Sequence, residues 1–266
     1  MSKVAFITLG CKVNQYETNA MSQEFIEKGY EVVEHHEKAD IYVINTCTVT
    51  NMSDRKSRQM LRRVKELNPN SIVIACGCYV QVAKDEVAKI EDIDLILGNN
   101  EKKNIVEHLE QYQKDKKRQL EIEDLMQQRE FIEFGDVTYT EKTRAVVKIQ
   151  DGCDRFCSYC IIPYARGRVR SRKPEGIISE ITKIAQEGIK EVVITGIHVA
   201  SYGKDFKENY GLIDLLEDLN KIEGIERIRL SSIEPLILDE QFINRLSKLE
   251  KICHNFHLSL QSGCDE

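Results

Sequence analysis

The sequence contains no tryptophan, only four prolines in 266 residues, and no apolar run near the ~20 residues that a bilayer span requires. With 41% hydrophobic and 31% charged residues, this scarcity of proline excludes collagen-like, low-complexity and disordered chains. The expectation is a folded protein with a real core and no membrane partner. The opening MSKVAFITLGCK lacks a small-residue cleavage pattern and reads as a first strand rather than a signal peptide, which places the protein in the cytoplasm. A general excess of positive charge is missing too. The net charge of −6 argues against an indiscriminate polyanion binder.

What the chain has instead is cysteine, nine of them. In a reducing compartment an odd number of thiols points to metal or redox chemistry rather than to a disulfide framework. Basic residues are few relative to acids but clustered. DRKSRQMLRRVK (54–65) carries six against one acid, and PYARGRVRSRK (163–173) carries five against none. Two such clusters beside cysteine sites favour a phosphate-bearing partner, and Arg166 and Arg168 are candidates for steering a substrate or a cofactor carboxylate.

Short β-branched runs alternate with helical patterns, the mark of βα units and parallel sheets. KVAFITLG, DIYVINT, SIVIA and DLILG read as strands. Between them lie a helix closed by Gly29, a helix over SDRKSRQMLRRVKELN, a helix near 80–90, and a last one from about Asn104. The second of these has Ser53 or Asp54 as its expected cap and Met60, Leu61, Val64 and Leu67 as its apolar stripe. These elements describe an α/β domain with a doubly wound parallel sheet over residues 1–115. A charged, glutamine-rich stretch then breaks the rhythm, giving a linker or hairpin over 116–141. The pattern restarts over 142–266 with strands TRAVVKI, EVVITG, RIRLSS and NFHLSL and helices near 174–187, 212–220 and 238–249. That second unit reads as a partial TIM-like barrel, a fold that places its chemistry in the loops after the strands.

Cys153, Cys157 and Cys160, in DGCDRFCSYC, follow the first strand of that second unit. A closed structural zinc site needs four ligands, and the next histidine, His198, is far along the chain. Three thiolates on a cubane cluster leave the fourth iron open to a small chelating molecule. In the first unit, Cys11, Cys47 and Cys78 each lie just past the carboxyl end of a strand, the edge where α/β sheets place ligands. Adjacent strands are only ~4.8 Å apart, so these three thiols are expected to converge on one cluster. Cys76 competes with Cys78. Cys78 is preferred because GC follows the strand there as it does at Cys11, whereas Cys76 still belongs to the strand end. Cys253 and Cys264 have no partner at ligand spacing and read as packing residues.

CDRFCSYC resembles the CxxxCxxC signature of radical S-adenosylmethionine enzymes, supported by TGIHVASYG and RLSSIEP after the next two strands. LGCKVNQYET, NTCTVTNMSDRKSRQ and CGCYVQ extend the resemblance to the methylthiotransferases of that family, and HLSLQSG carries it to the end of the chain. The resemblance implies two 4Fe-4S clusters, held by Cys11, Cys47 and Cys78 and by Cys153, Cys157 and Cys160. It implies S-adenosylmethionine as cofactor, with Tyr159 among its binding residues, Gly196 on its methionine side and Ser231, Ser232 or Glu234 on its ribose side. TGI departs from the usual Gly-Gly-Glu form of that loop. By the same resemblance the second triplet initiates radical chemistry and the first handles the sulfur.

The stretches GCKVNQYET and NTCTVTN are similar to the branch that places a methylthio group on carbon 2 of N6-threonylcarbamoyladenosine at position 37 of tRNA. Branches acting on isopentenyladenosine in tRNA, or on an aspartate of a ribosomal protein, remain alternatives. A reductant such as flavodoxin or ferredoxin is implied as a further partner. An electron carrier or cluster scaffold without a reaction of its own is the reading of another class, for which four-cysteine ligation is expected. The family usually carries six barrel strands and a small β-barrel that grips tRNA. The expectation is therefore that residues 1–266 are part of a longer protein.

Overall fold

The computed structural model describes residues 1–135, 137 and 143–264. Part of the linker expected over 116–141 therefore lies outside the described residues, as do positions 265 and 266. The described chain forms two compact units. Unit 1 comprises Met1–Gln128, Ile132–Val137 and Asp154–Arg168, and unit 2 comprises Arg129–Phe131, Thr138–Cys153 and Val169–Glu266.

Unit 1 is built on a sheet of six parallel strands, β1 (Lys3–Thr8), β2 (Glu31–Val33), β3 (Ile41–Thr46), β4 (Ile72–Gly77), β5 (Leu95–Leu97) and β6 (Gln119–Glu121), in the order β2-β1-β3-β4-β5-β6. Its central strands are buried on both faces and mostly apolar, and alternate residues serve opposite layers. Val4, Ile41, Val43, Ile74 and Cys76 pack with Met21 and Phe25 of α1 (Lys12–Glu27), while Ala5, Tyr42, Ile44, Val73 and Ala75 pack with Leu61 and Val64 of α2 (Asn51–Leu67). Each such aliphatic side chain contributes roughly 1.5–3 kcal/mol when fully buried. Tyr79 and Val80 of α3 (Cys78–Val82) and Val87 of α4 (Lys84–Val87) join the second layer, and Ile105, Val106 and Leu109 of α5 (Ile105–Asp115) join the first.

Three local expectations change. The cap of α2 is Thr50, whose hydroxyl accepts from the Ser53 amide, and not Ser53 or Asp54, because the helix begins three or four residues earlier. Leu67 is 39% exposed and lies off the apolar stripe. The charged stretch after α5 adds β6 to the edge of the first sheet. There Arg118 donates to the carbonyls of Ala88, Ile90 and Ile93, satisfying backbone groups that sequence periodicity does not reveal.

Glu24 of α1 lies near Glu107 and Glu110 of α5 and near Glu27, with Lys28 as a partial counter-charge. Burial, then Glu107, pushes its carboxyl up to about 7. The folded protein then holds a proton that the unfolded chain releases near ~4.3, so stability falls as pH rises through this window. Glu24→Gln is expected to raise the urea midpoint at pH 8 and leave it unchanged at pH 4. An equal effect at both pH values would disprove the assignment.

Unit 2 has a four-stranded sheet in the order β10-β9-β7-β8. β7 (Ala145–Asp151), β9 (Glu191–Gly196) and β10 (Arg227–Leu230) are parallel, and the short β8 (Arg170–Ser171) is antiparallel to β7. A helix follows β8, β9 and β10 in turn: α7 (Pro174–Gln186), α8 (Leu212–Asn220) and α9 (Glu240–Leu246). This is the βα repeat read from the sequence. NFHLSL is not a continuous strand; the chain there makes parallel bridges only at Ile228–Ile252 and Ile233–Leu258, and Leu260 is 69% exposed. No helix among the described residues is long and apolar enough to cross a membrane.

Candidate functional site

In unit 1 the chain passes from β1 outward to β2 and then returns to the other side of β1 with β3, so the strand order reverses between β1 and β3. The carboxyl ends of strands flanking such a switch point form a crevice, since their loops depart in opposite directions. Cys11 follows β1 as the N-cap residue of α1, Cys47 follows β3, and Cys78 opens α3 after β4. Cys47 and Cys78 are buried and Cys11 is exposed.

Two glycines let these loops run close together. Gly10 has φ +98°, and a Cβ there would stand 2.6 Å from Cys47 Sγ. Gly77 has φ +101°, and its Cβ would stand 2.4 Å from the Thr46 carbonyl oxygen. The two GC turns thus share a left-handed conformation that other residues rarely adopt. Cys76 points the other way, into the layer formed by α1 and α5, and burial pushes its thiol up to about 11. Side chains tie the three loops together. Asn14 Nδ2 donates to the carbonyls of Leu9 (2.7 Å) and Thr46 (3.0 Å), and the Thr46 hydroxyl donates to the Cys76 carbonyl (2.6 Å). The Ser57 hydroxyl of α2 both accepts from the Cys47 amide and donates to its carbonyl.

The segment 154–168 belongs to this same unit. It carries Cys157 and Cys160, joined by a hydrogen bond from the Cys160 amide to the Cys157 carbonyl, and then α6 (Ile162–Arg166). Phe156, at φ +47°, sits edge-on to Tyr164 and under the Arg168 guanidinium, which also pairs with Asp154 at 3.5 Å. Tyr159 is 75% exposed. Arg166 is fully buried: it donates to Cys78 Sγ, Asn14 and Glu17, so it does not steer a substrate at the surface.

The second basic cluster is likewise largely interior. Arg170 lies 3.8 Å from Asp151, and Arg172 pairs with Glu180, in each case because a buried guanidinium requires a carboxylate. On α2, by contrast, Arg55, Lys56, Arg62 and Arg63 are exposed, whereas Arg58 bonds Tyr79 and Lys65 bonds Asp94.

In unit 2 Cys153 is buried just after β7. The turn before it is fixed by buried polar groups. Asp151 accepts from Lys148 Nζ (2.5 Å) and from the Gly152 amide (2.8 Å), and Gln150 Nε2 donates to the carbonyls of Asp151 and Gly152. Gln150 Oε1 also accepts from the His198 amide, and Gly196 lies so close to Gln150 that a Cβ would meet this oxygen at 2.9 Å. His198 Nδ1 bonds Ser201, and its Nε2 lies 3.2 Å from Glu234, joining the loops after β9 and β10. Ser231 is buried there. Ser232 is exposed and pairs with His257. Cys253 is half-buried, but Cys264 is exposed and so does not pack as expected. Among the described residues, only Glu34, His35 and His36 bring three metal-ligating atoms within 4.8 Å of one another.

Two family models match the chain: UPF0004, described as an uncharacterized protein family, over residues 3–98, and the radical SAM superfamily over residues 147–266. This chain carries a UPF0004 domain followed by a radical SAM domain. It is 46% identical to a threonylcarbamoyladenosine tRNA methylthiotransferase MtaB from Aquifex aeolicus, over 98% of this chain and 63% of that protein. With its counterpart from Bacillus subtilis the identity is 42%, over 99% and 58%. A tRNA-2-methylthio-N(6)-dimethylallyladenosine synthase from Clostridium botulinum is 36% identical, over 97% and 58%. The chain thus spans about three fifths of the length of the curated relatives it matches. The fold is also similar to that of the radical S-adenosylmethionine methyltransferase TsrM from Kitasatospora setae, with a TM-score of 0.62 at 13% identity, covering 95% of this chain and 58% of that one.

Around the UPF0004 thiols, sequence reading overlooks Asn14, Glu17, Ser57, Asn99 and Lys102. Asn99 Nδ2 lies 4.0 Å from Cys78 Sγ and donates to the Ala165 carbonyl. One signal was available: Asn14 and Glu17 stand three apart, on one face of a helix whose apolar residues also point inward. Lys102 and Arg166 carry no such signal, because their partners lie 85 and 149 residues away.

Proposed function

We propose that the protein is a tRNA-modifying enzyme that adds a methylthio group to carbon 2 of N6-threonylcarbamoyladenosine at position 37, using two S-adenosylmethionine molecules per turnover. The observation that carries this reading is the placement of Cys11, Cys47 and Cys78 on one sheet edge, in a chain that also holds a CxxxCxxC loop within a radical SAM domain. Cys11, Cys47 and Cys78 would hold one 4Fe-4S cluster, and Cys153, Cys157 and Cys160 the other. The donor sets fit: all six are free thiols, soft ligands suited to iron–sulfur clusters, and each set of three leaves one iron open. The second set spans only eight consecutive residues, so chain connectivity alone keeps its members near one another.

When bound, the clusters supply an electron for cleaving S-adenosylmethionine and an open iron for sulfur, which side chains lack. The chain's own part is placement. Asn14 and Thr46 hold the three UPF0004 loops in register, while Gln150 and Asp151 hold the turn that launches Cys153. Gly196, Ser231, Ser232, Glu234 and Tyr159 are the residues proposed to meet S-adenosylmethionine. Glu234 is oriented by His198, and the Tyr159 phenol bonds the Cys157 thiol. The exposed arginines and lysine of α2 give a surface for RNA phosphates, whose contribution weakens as salt rises. A cytoplasmic reductant such as flavodoxin or ferredoxin would deliver the electron.

The deciding experiment is mass spectrometry of tRNA nucleosides from cells with and without the gene. Loss of the methylthio form of threonylcarbamoyladenosine is expected. Loss of the methylthio isopentenyl form instead would move the protein to the sister activity, and unchanged tRNA with an altered ribosomal aspartate would refute an RNA substrate.

A further inference from the structure

Arg166 and Arg170 are the largest fully buried side chains among the described residues, and the Nε, Nη1 and Nη2 atoms of Arg166 are all engaged. Nη1 donates to Glu17 Oε1 at 2.5 Å, and Nη2 donates to Glu17 Oε2 at 3.1 Å and to Asn14 Oδ1 at 2.5 Å. Lys102 Nζ donates to the same carboxylate at 2.6 Å and holds it in place. This two-point fork fixes the plane of the guanidinium and with it the direction of the Nε edge. Nε meets Cys78 Sγ at 3.1 Å. A cation that merely balanced Glu17 would not need its third edge aimed at sulfur.

We infer that Arg166 is a positioning residue that sets the reduction potential at the Cys78 sulfur. The inference rests on the reading of Cys78 as a cluster ligand. Hydrogen bonds to ligand sulfurs, nearby charge and solvent exclusion are the means by which proteins tune such potentials. A charge-assisted N–H···S bond in a buried site withdraws electron density from the thiolate and favours the reduced state. The donor is supplied by residues 154–168, the segment that also carries Cys157 and Cys160.

The test is an EPR-monitored redox titration of the full chain, reconstituted anaerobically in a Cys153→Ala, Cys157→Ala, Cys160→Ala background so that only the first cluster is read. Arg166→Gln is expected to keep about four irons per chain and to shift the midpoint negative by at least a tenfold change in the one-electron equilibrium, about 59 mV. Arg166→Lys, which keeps the charge but not the fork, should fall between. Should Arg166→Gln not fold, the triple variant Arg166→Gln, Glu17→Gln, Lys102→Met removes all three buried charges together and is expected to show the same shift. Iron bound with an unchanged midpoint would overturn this inference alone. Absence of iron in the background protein would overturn the ligand reading, and the inference with it.

Discussion

Replacing Cys153, Cys157 and Cys160 together by alanine is expected to lower the iron of the reconstituted chain from about eight atoms to about four and to abolish 5′-deoxyadenosine formation. Replacing Cys11, Cys47 and Cys78 should cause the same loss of iron but leave cleavage of S-adenosylmethionine intact and remove only the methylthio product. The asymmetry follows from position: one triplet lies in the loop after the first strand of the radical SAM domain, the other on the carboxyl edge of the UPF0004 sheet. Iron analysis and chromatography of the nucleoside product check both halves. Equal cleavage by the two variants would reject the division of roles. Within the first triplet, Cys76→Ala should retain its iron and Cys78→Ala should lose it, because Cys76 packs between strand and helix while Cys78 lies beyond the strand end.

Glu17→Ala is expected to be the most destabilising single substitution in unit 1. Its carboxylate is 1% exposed and lies between Lys102 and Arg166, both at 0%. Removing one member of a buried ionic group leaves the others desolvated without compensation, at a cost of about 3–5 kcal/mol. A change of this size is a large part of the stability of an ordinary domain, and the apo-protein should show it as a marked drop in urea midpoint. Lys102→Met removes one cation but leaves Glu17 with Arg166, so its effect should be smaller. A midpoint unchanged in Glu17→Ala would mean that water reaches the network and screens it.

The alternation of apolar strands and amphipathic helices determined the α/β layers, since a strand covered on both faces is a near-continuous apolar run, as IYVI and IVIA are. Spacing along the chain likewise groups Cys153, Cys157 and Cys160 as one candidate set, and the repeated GC after a strand singles out Cys11 and Cys78 as candidates. These are local signals, carried by neighbouring residues. What the arginines do is not local. Read in sequence, Arg166, Arg168, Arg170 and Arg172 form one basic run. In the fold Arg166 is enclosed by Glu17, Asn14 and Cys78, Arg172 pairs with Glu180, and Arg168 lies against Phe156. A charged side chain counts as surface or interior according to whether a carboxylate waits where it is buried, and the carboxylate of Glu17 lies 149 residues before its arginine. Only the tertiary structure brings the two together, because the free energy that holds them depends on desolvation by residues from every part of the unit.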